Sequence, residues 1–247
     1  VSFLGQLLLP PRFDDYDYCP DDEFLDTAFA LDELTFGAHG LVSSLKHRGR
    51  LPLNEISPWL DYKSVPQYDK LGAPVMIDDF AIMVHWDASN PTLLRPWPAK
   101  PILVNGRAAG IAKNGAHISA VPGPLANLGL PLTGTMAAVA TGRANHPGLG
   151  DPLVDAAVAA RTIGRGKSGK STTGAGGRYL GIEVASSGDP KRPFTKDQID
   201  QLEQFFSDCT RFLGRKPVVI DHARRSSDRK IDVIAYRSAV PSLRYLA

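Results

Sequence analysis

The stretch from Thr195 to Gly214 constrains the fold more than any other part of this chain. Ile199, Leu202, Phe205, Phe206, Cys209, Phe212 and Leu213 recur at helical spacing and make one apolar stripe. Thr195 followed three residues later by Gln198 is a capping box, and Gly214 is a terminator. A helix over 196–213 is therefore expected, with Cys209 buried on the stripe as a small hydrophobe. A helix with one apolar face must bury that face against another layer.

The other layer is visible as short apolar runs rich in β-formers. Phe80–Trp86, Tyr179–Ala185 and Pro217–Asp221 each read as a buried strand, with Val75–Ile77 just ahead of the first. Leu132–Thr141 reads as a hairpin strand pair or one long strand. Asp151–Thr162 looks helical, with Pro152 at an allowed first-turn position. This order predicts an α/β domain with a mixed central sheet flanked by helices. Before it, prolines at 10, 11, 52, 58, 66 and 74 cut the chain into short pieces. Short helices are expected near 24–31 and 41–47. The expected division is an N-terminal extension over 1–70, wrapped on a main domain over 71–247.

Composition excludes several function classes. A chain of 247 residues with a formal net charge of +2 lacks the basic excess of a dedicated nucleic-acid binder. No apolar run approaches the ~18 residues of a membrane span. Val1–Pro11 is apolar but has no basic n-region or small-residue cleavage site, so no signal peptide is expected. Cys19 and Cys209 make no disulfide framework. The charge is uneven: residues 14–33 hold nine carboxylates and no Lys or Arg, whereas 211–230 hold seven basic groups. These are either two solvated surfaces or an acidic arm lying against a basic region.

Gly164–Ser171 (GRGKSGKS) fits the P-loop string, but a phosphate cradle needs a strand before it and a helix after it. Here a helical stretch precedes it and Thr172–Gly177 follows, so the segment reads as a Gly/Lys loop and nucleotide binding is not expected.

The histidines carry more. His39, His47 and His117 read as surface residues. His85 ends a buried strand, His146 lies in the turn Gly142–Gly148, and His222 follows directly on a strand. Asp232 stands ten residues beyond His222, a loop length that can return a carboxylate to an imidazole. Two imidazoles and one carboxylate suit Zn²⁺ with one position left for water. On the residues alone, a metal site and structural histidines both stand. Glu183, inside an apolar strand, is either edge-exposed or functional. Lys230, two residues before Asp232, is placed to polarise a carbonyl.

Together, five segments resemble a known family. They are Met83–Ser89 (MVHWDAS), Pro122–Leu130 (PGPLANLGL), Ala140–Gly148 (ATGRANHPG), Gly181–Glu183 (GIE), and His222 with Lys230-Ile231-Asp232. They resemble the zinc-dependent N-acetylmuramoyl-L-alanine amidases of the type-2 amidase and peptidoglycan-recognition fold, over roughly 75–245. The nearest variety looks like the amidase domains of endolysins from phages of actinobacteria. The resemblance implies zinc held by His85, His222 and Asp232, Glu183 as the base, and Lys230 as stabiliser of the oxyanion. Asn145 and His146 would line the substrate groove, with Trp86 and Asn127 also beside it. Trp86 and Asp87 stand where the family usually has histidine and threonine, and Leu125-Ala126-Asn127 stands in place of a tyrosine–histidine pair.

The implied substrate is bacterial peptidoglycan, cut between N-acetylmuramic acid and L-alanine. A monomer is expected, made in the host cytoplasm and released to the wall through a holin, with no membrane insertion. The competing reading is a non-catalytic peptidoglycan-binding module of the same fold.

Overall fold

The structure is a computed structural model that describes residues 51–63, 80–111, 117–162, 170–174, 178–189, 191–226 and 240. Its centre is strand β1, Ala81–Trp86, whose run AIMVHW is buried on both faces until its last residue. A strand without apolar–polar alternation needs covered neighbours on each side and cover on each face. It pairs in parallel with β8, Tyr179–Val184, and with β9, Val219–Asp221. Strand β6, Leu128–Leu130, extends the sheet in parallel beyond β8. The short β7, Ala137–Ala138, closes that edge antiparallel to β6. Among the described residues the order is β7-β6-β8-β1-β9, a mixed sheet as expected. Two small antiparallel pairs lie apart from it: β2, Gly106–Arg107, with β5, Val121–Pro122; and β3, Gly110–Ile111, with β4, His117–Ile118.

Side-chain alternation along these strands sorts residues onto two faces. Ile82, Val84, Leu180, Ile182 and Val219 face one way, into the larger core. Their cover includes helix α4, Lys196–Leu213, which contributes Leu202, Phe205, Phe206 and Cys209. Residues 51–60 join the same core: Leu51, Leu60, and Leu53 and Ile56 of the short helix α1, Leu53–Ile56. The opposite face carries Ala81, Met83, Tyr179 and Ile220 against Val154 and Val158 of helix α3, Pro152–Ala159. A further short helix, α2, spans Lys100–Asn105. No helix among the described residues is long and apolar enough to cross a membrane.

Helix α4 has the predicted bounds and ends. Thr195 Oγ1 accepts from the Gln198 backbone N–H, and Gln198 Oε1 accepts from the Thr195 N–H. The amide of Gln198 also donates to the carbonyls of Pro131 and Ala185, which ties the helix start to the sheet. Gly214 closes the helix in the left-handed region, φ +67°, where a side chain would be strained. Asp208, on the same helix, binds the N-terminal segment. It accepts from Ser57 Oγ and Trp59 Nε1, each at 2.6 Å, and from Gln204 and Arg211. Burial pushes the Asp208 carboxyl up, but these donors and the Arg211 charge outweigh it and hold it below its ordinary value.

The expected hairpin over 132–141 lies elsewhere in register. Its strands are Leu128–Leu130 and Ala137–Ala138, and Leu132–Gly134 forms the bend between them. Pro131 has no N–H for a sheet ladder, and Gly134 at φ +94° reverses the chain, so the first strand must end before both. Lys170–Gly174 is not helical, and Thr173 forms a β-bridge with Gly150. The Val75–Ile77 strand, the two early helices, His39, His47 and the acidic arm lie outside the described residues.

Candidate functional site

Three chemistry-bearing side chains meet at the C-terminal ends of the central parallel strands. The β1–β8 register sets His85 opposite Glu183. The β1–β9 register pairs Val84 with Asp221, so the next residue, His222, emerges beside His85. His222 opens the four-residue helix α5, His222–Arg225, whose start is capped by Asp221 Oδ1 accepting from the Arg224 N–H at 2.7 Å. The cap turns the chain sharply at the strand end and holds the imidazole inward.

The Nδ1 atoms of His85 and His222 lie 2.8 Å apart, and both rings are nearly fully buried. Glu183 Oε1 is 3.9 Å from His85 Nδ1, on a side chain 13% exposed. Ala81 and Met83 below His85, and Tyr179 and Gly181 below Glu183, share this face by strand alternation.

His146 completes a chain of imidazoles. Its Nδ1 is 3.1 Å from His85 Nε2, and its Nε2 is 3.0 Å from the Tyr179 carbonyl oxygen. The ring lies directly over Gly181, where a Cβ would sit 2.4 Å from the His146 ring. Burial first, and then the neighbouring His85, push the His146 imidazole well below its ordinary value of 6.5.

Arg225 braces this arrangement from below. It is fully buried and donates to the carbonyls of Pro147 at 2.8 Å and Gly148 at 2.7 Å, immediately after His146. It also binds both oxygens of Asp155 and the Thr173 carbonyl. Gly150 leaves the room: a Cβ there would meet the guanidinium at 2.5 Å. Tyr179 donates its hydroxyl to Asp155 at 2.7 Å, beneath the same guanidinium. A single buried cation thus ties the helix bearing His222 to the turn bearing His146.

Of the residues singled out from the sequence, His85, His222, Glu183 and His146 come together. Lys230 and Asp232 lie outside the described residues. Three residues assigned to the groove have other settings. Asn127 is fully buried, and its amide donates to the carbonyls of Ala140 and Gly142 while accepting from the Gly181 N–H. It is a clip between β6, β8 and the segment after β7, with no polar atom left for a ligand. Trp86 alternates away from His85 and packs against the larger core. His146 is 7% exposed with both ring nitrogens engaged, so it backs His85 instead of lining a groove. Asn145 is half-buried, and its amide donates to the Pro122 carbonyl at 2.9 Å.

Sequence reasoning did not single out Arg225, Asp155 or Tyr179. A buried arginine has no signature in a single sequence, and Arg225 sits in a basic stretch that reads as surface. Asp87 was noted only as a departure from the family pattern. Its Oδ1 accepts from the N–H and hydroxyl of Ser89 and from the Ser186 N–H, which ties the end of β1 to the segment after β8. Burial pushes its carboxyl above the ordinary value despite those bonds.

The donor set can be tested against a metal ion. Among the described residues no group of three or more His, Cys, Asp or Glu forms a cage. Two buried imidazole nitrogens aimed at each other are nonetheless donors of the kind zinc accepts. Tetrahedral ligation at about 2.0–2.1 Å per nitrogen sets two such atoms about 3.3–3.4 Å apart. The observed pair therefore fits a divalent cation after opening by roughly half an ångström.

No protein-family model matches the chain, and no curated protein matches it. Among solved structures, the selenomethionine derivative of AmpD aligns with 76% of this chain and 94% of its own, at 17% identity and a TM-score of 0.45.

Proposed function

We propose that this protein is a zinc-dependent N-acetylmuramoyl-L-alanine amidase acting on bacterial peptidoglycan. The observation that carries the reading is the convergence of His85 Nδ1 and His222 Nδ1 at 2.8 Å, with the Glu183 carboxylate alongside. The five resembling segments supply the rest of the assignment. Asp232 is the third ligand and Lys230 the cation for the oxyanion.

The bond to be cut is an unactivated amide between a lactyl carbonyl and the nitrogen of L-alanine. Zinc, when bound, supplies a Lewis acid for the carbonyl and lowers the pKa of water. Glu183 takes the proton from the attacking water and returns it to the alanine nitrogen as the C–N bond breaks. The products are a free lactyl carboxylate and a stem peptide with a free amino terminus. Its setting suits Glu183 to this work, since the side chain is mostly buried and stands beside the paired imidazoles. An endolysin released through a holin is the biological setting this reading favours.

A peptidoglycan digest with metal analysis tests it. About one zinc per chain and release of L-alanine amino termini are expected, with both lost in His222→Ala. Protein that binds the wall without zinc and releases no amino termini would establish the non-catalytic binding module instead.

A further inference from the structure

We infer that the turn Thr92–Arg95 is a docking point for an anionic lipid surface. Leu93 and Leu94 enter the acyl boundary, while Arg95 and Lys100 take headgroup phosphates. The inference goes beyond the amidase reading and does not depend on it, because lipid contact needs neither zinc nor turnover. It needs no spanning segment either.

The first observation is one of charge. Between Asp87 and Asp151 the chain has no Asp or Glu, yet it holds Arg95, Lys100, Arg107, Lys113 and Arg143. No carboxylate among the described residues pairs with Arg95, Lys100 or Arg107. The second observation is apolar exposure. Of the large apolar side chains exposed among the described residues, all but Leu153 lie in this same stretch. Leu94 is 99% exposed and Leu93 78%, side by side at the tip of the turn. A single exposed leucine needs no explanation, but two adjacent ones held in water beside unpaired cations do.

The tip is held in that state by its surroundings. Reciprocal backbone bonds between Thr92 and Arg95, each 3.1 Å, close the turn, and Thr92 Oγ1 also accepts from the Arg95 N–H. Pro91 and Pro96 restrict the backbone on either side. The Pro96 carbonyl accepts from the Leu132 N–H at 2.8 Å, and the Trp97 ring lies on Gly129, where a Cβ would collide with it. Lys100 Nζ stands 5.8 Å from the centroid of that ring. The leucines are thus presented in advance, so docking carries little ordering cost.

A lipid leaflet fits these features better than other partners do. A convex apolar tip enters a fluid interface without a matching cavity, which a folded partner would have to supply. Leucine at the acyl boundary with Arg and Lys at headgroup level is the division of labour of an interfacial contact. A second copy docked through the same face would set two basic, carboxylate-free surfaces against each other. The turn follows β1 at the end that bears His85, so a molecule held by it would work beside the membrane.

Vesicle co-sedimentation tests the inference. Wild-type protein should bind vesicles of phosphatidylglycerol and phosphatidylcholine, and bind phosphatidylcholine alone roughly 10-fold more weakly. Rising salt should weaken the first and not the second. Leu93→Ser with Leu94→Ser, which leaves the charge unchanged, should weaken binding about 10–100-fold at wild-type thermal stability. Arg95→Glu with Lys100→Glu should weaken it roughly 10-fold or more. Leu94→Trp should show a blue-shifted emission on anionic vesicles and quenching by brominated acyl chains, as an inserted tip requires. No binding to anionic vesicles would overturn the inference and leave the amidase reading standing. Binding that survives loss of both leucines would mean a polyanion site only, and would overturn it. So would a Leu94→Trp emission already blue-shifted without vesicles, since another part of the chain or a second copy would then cover the tip.

Discussion

The two faces of the central sheet are built from alternate residues of the same strands, yet they are held by different physics. On one face, Ile82, Val84, Leu180 and Ile182 meet α4 and residues 51–60 in an apolar core. Stability there comes from area removed from water, roughly 1.5–3 kcal/mol for each large side chain. On the other face, a small apolar patch gives way to His85, His146, His222, Arg225 and Asp155, all linked by directed bonds. Apolar packing tolerates exchange of like for like, whereas a polar chain fails when one member loses its partner. The first face can absorb change and keep the fold. The second cannot absorb change and keep the site.

Substitutions on each face should separate these roles. The largest effect is expected from Glu183→Gln, which should reduce amidase turnover on the order of 10⁴-fold while zinc stoichiometry and thermal stability stay near wild type. Loss of zinc in that variant would show that Glu183 is a ligand, not a base. Phe205→Ala should act in the opposite sense. A cavity in the larger core should cost about 3–5 kcal/mol in denaturant unfolding, while the protein that remains folded keeps its zinc affinity.

A smaller effect belongs to Asp208, the carboxylate that joins α4 to residues 57–59. Its folded form holds a proton less tightly than the ordinary value of 3.8, so the unfolded chain binds more protons in acid. Its contribution is complete above about pH 3.8 and disappears as pH falls through the lower folded value. Asp208→Asn should flatten that part of the acid-unfolding curve and leave zinc binding unchanged. The smallest effect is expected at the helix start, where Thr195→Ala should cost about 1 kcal/mol in the same unfolding measurement.

Legibility in the sequence follows the same division between faces. Helix α4 could be read to the residue because its signals are local: a 3.6-residue stripe, a capping box within four residues and a terminal glycine. Strands β1 and β8 were legible as apolar runs. The hairpin was not. Leu132–Thr141 is rich in Gly, Ala and Thr, and its pairing depends on β6, whose place is set by the parallel contact with β8.

At the site, residue type and position picked out His85, His222 and Glu183, and the strand register brings them together. Asn127 and His146 show what residue type leaves open. A polar residue in a Gly-rich turn looks like a groove residue whether it faces solvent or the sheet. Only the packing decides that Asn127 clips three segments and that His146 sits on Gly181.

The sequence by itself determined the layered α/β architecture, because hydrophobic periodicity and capping are written in neighbours. It also determined the candidate chemistry, because imidazoles and carboxylates at strand ends are few. Tertiary structure decided which nitrogen meets which. That choice depends on strand register, on glycines that leave room for His146 and Arg225, and on a carbonyl that accepts a hydrogen bond from a ring brought to it across 33 residues. Such contacts carry no local signature, since their partners are joined by folding alone.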